Sequence, residues 1–266
     1  MHHADSDLMH IAIRAAMDAG NSILDVYNHQ DIQIDTKSDL SPVTNADLKA
    51  HDIISQQLLK TGIPVLSEEG TQIPYDERKN VKKIWIVDPL DGTKEFIKRN
   101  GEFTVNIALI EDHQPVLGVI YAPVLNELYY ASAEKGSFKL NLSPDQEPDF
   151  NQAIKLPVSN IRKRWIVAGS RSHFSKETAE YIDQLEKKHE KVEILSRGSS
   201  LKLCLVAEGA ADVYPRFGPT SEWDIAAGHA VCRFAGAEVY DAITCRPLTY
   251  NKENILNPSF VAMKTR

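Results

Sequence analysis

Residues 84–93, Ile-Trp-Ile-Val-Asp-Pro-Leu-Asp-Gly-Thr, constrain the fold of this chain more than any other stretch. The apolar run 84–87, mostly β-branched and aromatic, predicts a buried strand. We expect the strand to end at Asp88-Pro89, because proline has no amide hydrogen for a strand ladder. Asp91-Gly92 then predicts a turn, and residues 93–97 the first turn of a helix. Two carboxylates are therefore expected where a buried strand meets a helix.

This stretch has two interpretations. Asp-Gly is common in turns and aspartate is a common helix cap, so a purely structural role is one of them. Alternatively, Asp88 and Asp91 beside a loop carbonyl offer the oxygen ligands that Mg²⁺ prefers. The amides around Gly92 and Thr93 would then suit a phosphate oxygen. Further carboxylates in similar settings would favour the second interpretation.

Length, charge and cysteine content narrow the class of protein. The 266 residues suffice for one large domain or two modest ones. A net charge of −7 without a long basic run argues against a nucleic-acid binder. Three cysteines without a Cys-x-x-Cys pair predict a reducing compartment. With no apolar run near the ~20 residues of a membrane span and no signal-peptide pattern, we expect a cytoplasmic protein, and no obligate protein partner.

The order of predicted elements changes near residue 150. Before it come two helices, at 6–28 and from about 41 to 59, and a meander of antiparallel strands. Residues 141–153 are polar and rich in proline, which predicts a boundary. Strands and helices alternate afterwards. We therefore expect an α+β part in residues 1–150 and an α/β part in residues 151–266.

Glu68 and Glu69 follow a short predicted strand. Because neighbouring residues of a strand point to opposite faces, at most one of the two readily joins Asp88. The other is expected to be a solvated turn residue or an outer contact. The polar residues 71–82 that follow are predicted to form a mobile loop.

Asp47 and Asp224 both lie in the first turns of predicted helices. Thr44 and Asp47, three residues apart, match a capping box, and an acid near a helix start is favoured by the helix dipole. By itself each pattern favours a cap. A functional role requires that the fold bring these acids to Asp88.

If Glu68, Asp88, Asp91 and Asp224 converge, their charges need compensation. Two like charges ~4 Å apart repel by about 4 kcal/mol at an effective dielectric constant of about 20. Raised pKa values or bound cations relieve this repulsion. Two Mg²⁺ ions would balance the four charges and form a two-metal hydrolytic site for a phosphate ester.

Three motifs in this order resemble the inositol monophosphatase superfamily: Glu68-Glu69, the Asp-Pro-Leu-Asp-Gly-Thr of 88–93, and the Trp-Asp-Ile-Ala-Ala-Gly of 223–228. The resemblance covers nearly the whole chain. It implies a layered αβαβα sandwich of the inositol monophosphatase/fructose bisphosphatase type and a lithium-sensitive, magnesium-dependent phosphatase. Segments 88–110, 170–173, 198–202 and 214–220 are most similar to the 3′(2′),5′-bisphosphate nucleotidases.

The resemblance also implies a role for each acid. Glu68, Asp88 and the Leu90 carbonyl would hold one Mg²⁺ ion, and Asp88, Asp91 and Asp224 a second. Catalysis would rest on Asp47 and Thr93, which would activate the attacking water, with a third, weaker ion as an option. Gly92 and Thr93 would receive the scissile phosphate. The remaining implied substrate contacts are Glu68, Leu90, Asp91, His173, Ser199, Lys202, Arg216 and Asp224.

The implied substrate is adenosine 3′,5′-bisphosphate, cleaved to AMP and phosphate, with its sulfated form as a second substrate and a role in sulfur metabolism. Arg216 lies where inositol-specific members have a glutamate, and a cation suits a second phosphate better than a polyol. An inositol or sugar phosphatase is the alternative enzyme. A metal or nucleotide sensor on the same scaffold is the non-enzymatic alternative. Bacterial relatives are also described at the inner face of the membrane, which makes a peripheral location a further expectation.

Overall fold

The computed structural model describes residues 5–29, 32–37, 42–143, 147–158, 164–169, 175–189 and 191–265. The helices in these ranges are α1 (Asp5–His29), α2 (Asn45–Leu58), α3 (Tyr75–Arg78), α4 (Thr93–Ile97), α5 (Lys176–Glu186), α6 (Leu201–Ala207) and α7 (Glu222–Arg233), with 3₁₀ turns at Leu59–Thr61 and Phe150–Gln152. The strands are β1 (Ile34–Thr36), β2 (Pro42–Thr44), β3 (Val65–Ser67), β4 (Lys83–Asp91), β5 (Thr104–Glu111), β6 (Gln114–Ala122), β7 (Glu127–Ser132), β8 (Gly136–Asn141), β9 (Ile154–Lys155), β10 (Trp165–Gly169), β11 (Val192–Ser196), β12 (Val213–Arg216), β13 (Ala237–Asp241) and β14 (Phe260–Lys264).

Strands β3 to β9 form a seven-stranded sheet in chain order. β3 and β4 are parallel, and every later neighbour is antiparallel. The predicted meander is therefore present. It is longer than expected, because the sequence did not predict β8 and β9.

The seven-stranded sheet separates two apolar layers. Trp85 and Val87 of β4 pack with α1 and α2, whereas Ile84 and Ile86 pack with α6 and α7. The alternation of strand side chains directs them to opposite faces. Because both faces are covered, the strand is a continuous apolar run without polar alternation.

Helix α7 approaches its neighbours closely because glycines lie at the contacts. A Cβ atom at Gly118 of β6 would lie 2.5 Å from the Ala227 carbonyl oxygen, and one at Gly228 would overlap the Leu203 side chain of α6. Only glycine allows this separation. The depth of α7 between the sheets, and so the depth of Asp224 near its start, is set by these contacts.

A second sheet has the strand order β11-β10-β12-β14-β13. β11, β10 and β12 are parallel, and β14 is antiparallel to both of its neighbours. Helices α6 and α7 pack on its inner face. Ile182 of α5 packs on the outer face with Val167, Val213 and Val261. The layers therefore follow the order α, β, α, β, α, which confirms the predicted sandwich.

Two element boundaries differ from the predictions. Strand β4 continues past Asp88-Pro89 to Asp91, with a register shift between the two aspartates. Pro89 lies within this shift, where a missing amide hydrogen costs no ladder bond. Helix α2 begins at Asn45 rather than near residue 41, because Pro42–Thr44 pairs with β1.

Two tertiary features were also missed. Residues 71–82, predicted as a mobile loop, contain α3, whose Arg78 is only 4% exposed and donates to Asn251 Oδ1 at 2.8 Å. β14 enters the second sheet antiparallel, so that sheet is mixed rather than purely parallel. Both features depend on partners far away in the sequence, which no local pattern reveals.

The expected division at residue 150 stays a prediction. β9, which joins the first sheet, comes from residues 154 and 155, and α7 packs between both sheets.

Among the described helices, none has both the length and the apolarity that crossing a bilayer requires.

Candidate active site

Asp88 lies at the centre of the site, near the carboxyl end of β4. It is 1% exposed, and the chain turns after it so that its Oδ1 accepts the Leu90 amide at 3.1 Å. The register shift between Asp88 and Asp91 produces this turn. An apolar strand thus carries a carboxylate into the interior, where its charge requires a partner.

Three carboxylates meet at this point from three elements. Oxygens of Glu68, Asp88 and Asp224 lie within 4.8 Å of one another. Glu68 directly follows β3, and its amide donates to the Val87 carbonyl of β4 at 3.1 Å. Asp224 is the third residue of α7, and its Oδ2 accepts the Ser221 amide at 2.8 Å. The parallel strand pair and the start of α7 therefore bring together acids that are distant in sequence.

Burial and mutual repulsion raise the pKa values of these acids. For Asp88, burial is the largest cause, followed by the charges of Glu68, Asp91 and Asp224. Burial also raises the pKa of Asp224 to about 7, with the charge of Asp91 as the next cause. Burial raises the pKa of Glu68, and Lys37 opposes this effect. Acids that repel one another in this way gain from a bound divalent cation.

Asp91 lies beside the three converging acids and is oriented by neutral donors. Its Oδ2 accepts hydrogen bonds from Ser199 Oγ at 2.6 Å, Ser200 Oγ at 2.9 Å and Asn106 Nδ2 at 3.3 Å. Ser200 Oγ also lies 2.8 Å from the Asp224 carbonyl oxygen. Ser199 has a positive φ of 53°, an uncommon conformation for a residue other than glycine. The junction before α6 is therefore bent so that its hydroxyls reach Asp91.

Asp47 faces Thr93 across the same region. The capping box of α2 is present: the Thr44 amide and Thr44 Oγ1 donate to Asp47 Oδ2 at 2.8 and 2.5 Å. Thr93 Oγ1 donates to Asp47 Oδ1 at 3.2 Å, and the Leu90 carbonyl, at 3.4 Å, is a second acceptor for the same hydrogen. Burial raises the pKa of Asp47, and the hydrogen bonds from Thr44 and Thr93 lower it by less, so that the pKa stays above its usual value. The cap thus occupies one carboxylate oxygen and leaves the other for Thr93.

With this geometry in view, residues 4–265 match the family model described as the Inositol monophosphatase family. The chain belongs to the inositol monophosphatase family. It is 50% identical over 249 residues to the 3′(2′),5′-bisphosphate nucleotidase CysQ of Salmonella typhimurium, covering 92% of this chain and 95% of that protein. With CysQ of Haemophilus influenzae it shares 38% identity over 258 residues, covering 96% and 91%.

Solved structures agree with this assignment. CysQ from Bacteroides thetaiotaomicron, described as a bacterial member of the inositol monophosphatase family, has a TM-score of 0.89 and 49% identity, and the match covers 98% of each chain. The extragenic suppressor protein suhB from Bartonella henselae has a TM-score of 0.74 and 30% identity, with 97% of this chain and 94% of that chain covered. The superfamily inferred from the three motifs is confirmed.

Outside the family motifs, Lys37 also reaches the acids. Its Nζ donates to Glu68 Oε1 at 2.7 Å and forms a second ion pair with Glu69 Oε1. Burial lowers the pKa of Lys37, but the two carboxylates outweigh it and raise the pKa above its usual value. Glu68 therefore belongs to the group of three acids, while Glu69 is an outer contact through Lys37.

Of the predicted substrate contacts, Gly92, Lys202 and Arg216 have distinctive surroundings. Gly92 has a φ of 95°, which only glycine adopts readily. Lys202 is buried and donates to the Ser199 carbonyl at 2.6 Å. Burial lowers its pKa to about 8, although the charge of Asp91 acts in the opposite direction. Arg216 has a buried Nε without a hydrogen-bond partner among the described residues. The predicted contact His173 lies outside the described residues.

Sequence reasoning missed Asn106, Ser200 and Lys37. A lone amide in the apolar run of β5 could have identified Asn106, since buried polar groups need partners. Ser200 lies between Ser199 and Lys202, which the family resemblance implies as substrate contacts. Lys37 lies in a polar stretch with no distinguishing pattern, so only the fold reveals it.

Proposed function

We propose that the protein is a magnesium-dependent 3′(2′),5′-bisphosphate nucleotidase, which hydrolyses adenosine 3′,5′-bisphosphate to AMP and phosphate in sulfur metabolism. The observation that carries the proposal is the convergence of Glu68, Asp88 and Asp224 within 4.8 Å. The CysQ relatives support the substrate, since they bear this enzyme name at 38–50% identity. The sulfated form of the same nucleotide is the second substrate.

The oxygen donors of the site suit Mg²⁺, which prefers carboxylates and carbonyls. The repulsion that raises the pKa values of Asp88 and Asp224 is what a divalent cation would relieve. We assign Glu68, Asp88 and the Leu90 carbonyl to one ion and Asp88, Asp91 and Asp224 to a second, with a third, weaker ion near the attacking water. When bound, such ions neutralise phosphate oxygens and lower the pKa of water.

The proton transfer falls to Thr93 and Asp47. Thr93 Oγ1 already donates to Asp47 Oδ1. As water attacks phosphorus, its proton passes to Thr93 Oγ1 while the hydroxyl proton of Thr93 moves to Asp47. Burial favours this step, because it raises the pKa of Asp47 and makes the carboxylate a stronger base. The bond from the water oxygen to phosphorus forms as the bond from phosphorus to the ribose oxygen breaks, so no phosphoenzyme is formed. The ribose oxygen leaves with AMP and takes up a proton from solvent.

The remaining predicted contacts are assigned to individual parts of the substrate. Gly92 and Thr93 receive the scissile phosphate. Lys202 and Ser199, together with His173, contact the nucleotide. Arg216 takes the second phosphate. Its buried Nε has no hydrogen-bond partner within the described ranges, which supports this assignment, because a buried donor is costly unless it is paired.

A small nucleotide is thus the proposed partner, rather than a nucleic acid or a second protein. The cytoplasmic location, with peripheral attachment to the inner face of the membrane, stays a prediction. Fractionation of cells in low and high salt would test it.

A phosphate-release panel tests the proposed function. The substrates are adenosine 3′,5′-bisphosphate, its sulfated form, inositol 1-phosphate and a sugar phosphate, each with Mg²⁺ and with EDTA. We expect Mg²⁺-dependent release that is fastest from the bisphosphate. Faster release from inositol 1-phosphate would instead indicate an inositol or sugar phosphatase. No release from any ester would favour a metal or nucleotide sensor.

Arg216→Glu tests the assignment of the second phosphate. Losing a charge-assisted hydrogen bond costs about 1.5–3 kcal/mol, so kcat/KM for adenosine 3′,5′-bisphosphate should fall by about 10- to 100-fold. Adenosine 3′-monophosphate, which lacks the second phosphate, is the matched control and should lose far less. Equal losses with both substrates would refute the role of Arg216.

A further inference from the structure

Arg78 is a buried arginine with no part in the proposed mechanism. Its guanidinium lies 5.2 Å from the centre of the Tyr75 ring, and its Nε donates to the Ile73 carbonyl at 3.2 Å. Nη1 donates to Asn251 Oδ1 and to the Lys252 carbonyl, both at 2.8 Å. Arg78 therefore ties the connection between β3 and β4 to a loop near the carboxyl end of the chain.

Asn251 also donates a hydrogen bond to Arg78, and it connects Arg78 to Glu222. Its Nδ2 donates to the Arg78 carbonyl at 2.9 Å, so the two residues are joined in both directions. Its φ is 59°, a left-handed conformation that asparagine tolerates better than most residues. In this conformation its own amide donates to Glu222 Oε2 at 2.6 Å.

The contacts that begin at Arg78 end at Glu222, which is the first residue of α7. It is fully buried, and Oε1 accepts the Lys252 amide at 3.0 Å and Lys252 Nζ at 2.5 Å. Its amide donates to the Ile255 carbonyl at 2.9 Å. The backbone amide and the carboxylate of Glu222 are therefore both held by hydrogen bonds, two residues before Asp224.

We propose that Arg78 is a positioning residue, which acts through Asn251 and Glu222 to hold the start of α7, and with it Asp224, against the segment between β3 and β4. Glu68 directly follows β3 and Asp88 lies on β4, so these contacts connect the elements that carry all three converging acids. The consequence for metal binding rests on the proposed function. Residues that orient metal ligands typically change metal affinity by about 10- to 100-fold when they are replaced.

Two variants break the contacts in different ways. Arg78→Gln removes the guanidinium. Asn251→Gly deletes the side chain bonded to Arg78, yet suits the positive φ and keeps the amide that donates to Glu222. Arg233→Gln is the matched control: Arg233 ends α7 and donates to Gln114 Oε1 of β6 at 2.6 Å, so it also joins α7 to another element, but at the end remote from Asp224.

The first measurement is amide hydrogen exchange in the metal-free, full-length protein. We expect residues 220–226 to exchange about tenfold faster in Arg78→Gln and in Asn251→Gly, because the start of α7 loses its support. Arg233→Gln should leave these residues unchanged. Parent-like exchange at 220–226 in both test variants would overturn the positioning role.

The second measurement is Mg²⁺ binding by calorimetry. Arg78→Gln should weaken Mg²⁺ about tenfold and Asn251→Gly by a smaller factor, while Arg233→Gln stays within about twofold of the parent protein. An equal loss in Arg233→Gln would show a general effect of destabilisation and overturn the proposal. A parent protein that binds no Mg²⁺ would overturn the proposed function instead, and the exchange measurement would still decide the role of Arg78.

Discussion

Helices α2 and α7 begin with the same local arrangement, yet their capping acids have different surroundings. Asp47 accepts the Thr44 amide and Asp224 accepts the Ser221 amide, both at 2.8 Å. Beyond the cap, Asp47 meets the hydroxyl of Thr93. Asp224 instead belongs to the group of three carboxylates.

This difference shows that a cap fixes the position of a carboxylate without fixing its chemistry. Hydroxyl donors around Asp47 suit a residue that exchanges protons. Negative neighbours around Asp224, which with burial raise its pKa to about 7, suit a residue that binds a cation. We therefore propose that the same four-residue pattern serves two different roles, according to the groups that the fold places opposite it.

The largest effect is expected for Asp224→Asn, which keeps an oxygen for the Ser221 amide but removes the charge. Loss of several kcal/mol of stabilisation by the metal should lower kcat/KM by at least about 10³-fold, and Mg²⁺ binding should weaken. The metal-free variant should melt above the parent at pH 8. The reason is that an acid whose folded pKa is raised from 3.8 to about 7 destabilises the folded state progressively between these two pH values, and the full cost is present above pH 7.

Activity assays, calorimetry and melting in EDTA check this prediction. Asp76→Asn, which changes an acid whose side chain is 86% exposed, is the control and should resemble the parent protein. Parent-like Mg²⁺ affinity in Asp224→Asn would remove the distinction between the two caps.

Asp47→Asn should have the second largest effect, and of a different kind. Removing a general base typically costs about 10²- to 10⁴-fold, so kcat should fall while Mg²⁺ affinity stays close to that of the parent. Kinetics at saturating Mg²⁺, together with calorimetry, measure the two separately. If Asp47→Asn lost Mg²⁺ affinity as strongly as Asp224→Asn, the two acids would share one role.

Thr44→Val sharpens the comparison further, since valine has the shape of threonine without its hydroxyl. Loss of the cap should lower the free energy of unfolding by about 1 kcal/mol. Loss of the 2.5 Å bond to Asp47 should also reduce kcat, by about tenfold. Urea unfolding and steady-state kinetics measure both effects, and Thr44→Ser, which retains the hydroxyl, should restore most of each.

The smallest effect concerns helix α6, which packs against α7 and carries the buried cation Lys202. Burial lowers its pKa to about 8, so its charge is present below that pH and is lost as the pH rises. KM for the bisphosphate should therefore rise above pH 8, by at most about tenfold per pH unit. Lys202→Arg, which does not titrate in this range, should flatten the profile, whereas an unchanged profile would show that another group titrates.

Much of the fold follows from local patterns. The apolar run of β4, the meander and the capping acids of α2 and α7 were predicted, because strand alternation and capping depend on neighbouring residues. β14 was missed: its place between β12 and β13 results from pairing with strands that are distant in sequence. The family, too, was evident from three motifs and is confirmed by the match over residues 4–265.

The sequence by itself determined which acids lie at the ends of elements and which of them cap a helix. Only the tertiary structure decided the partners: Glu68 meets Lys37, Asp91 meets Ser199, and Arg78 meets Asn251. The reason is physical. A cap or a strand is stabilised within a few residues and so leaves a local pattern, whereas contacts between distant side chains depend on how the layers pack.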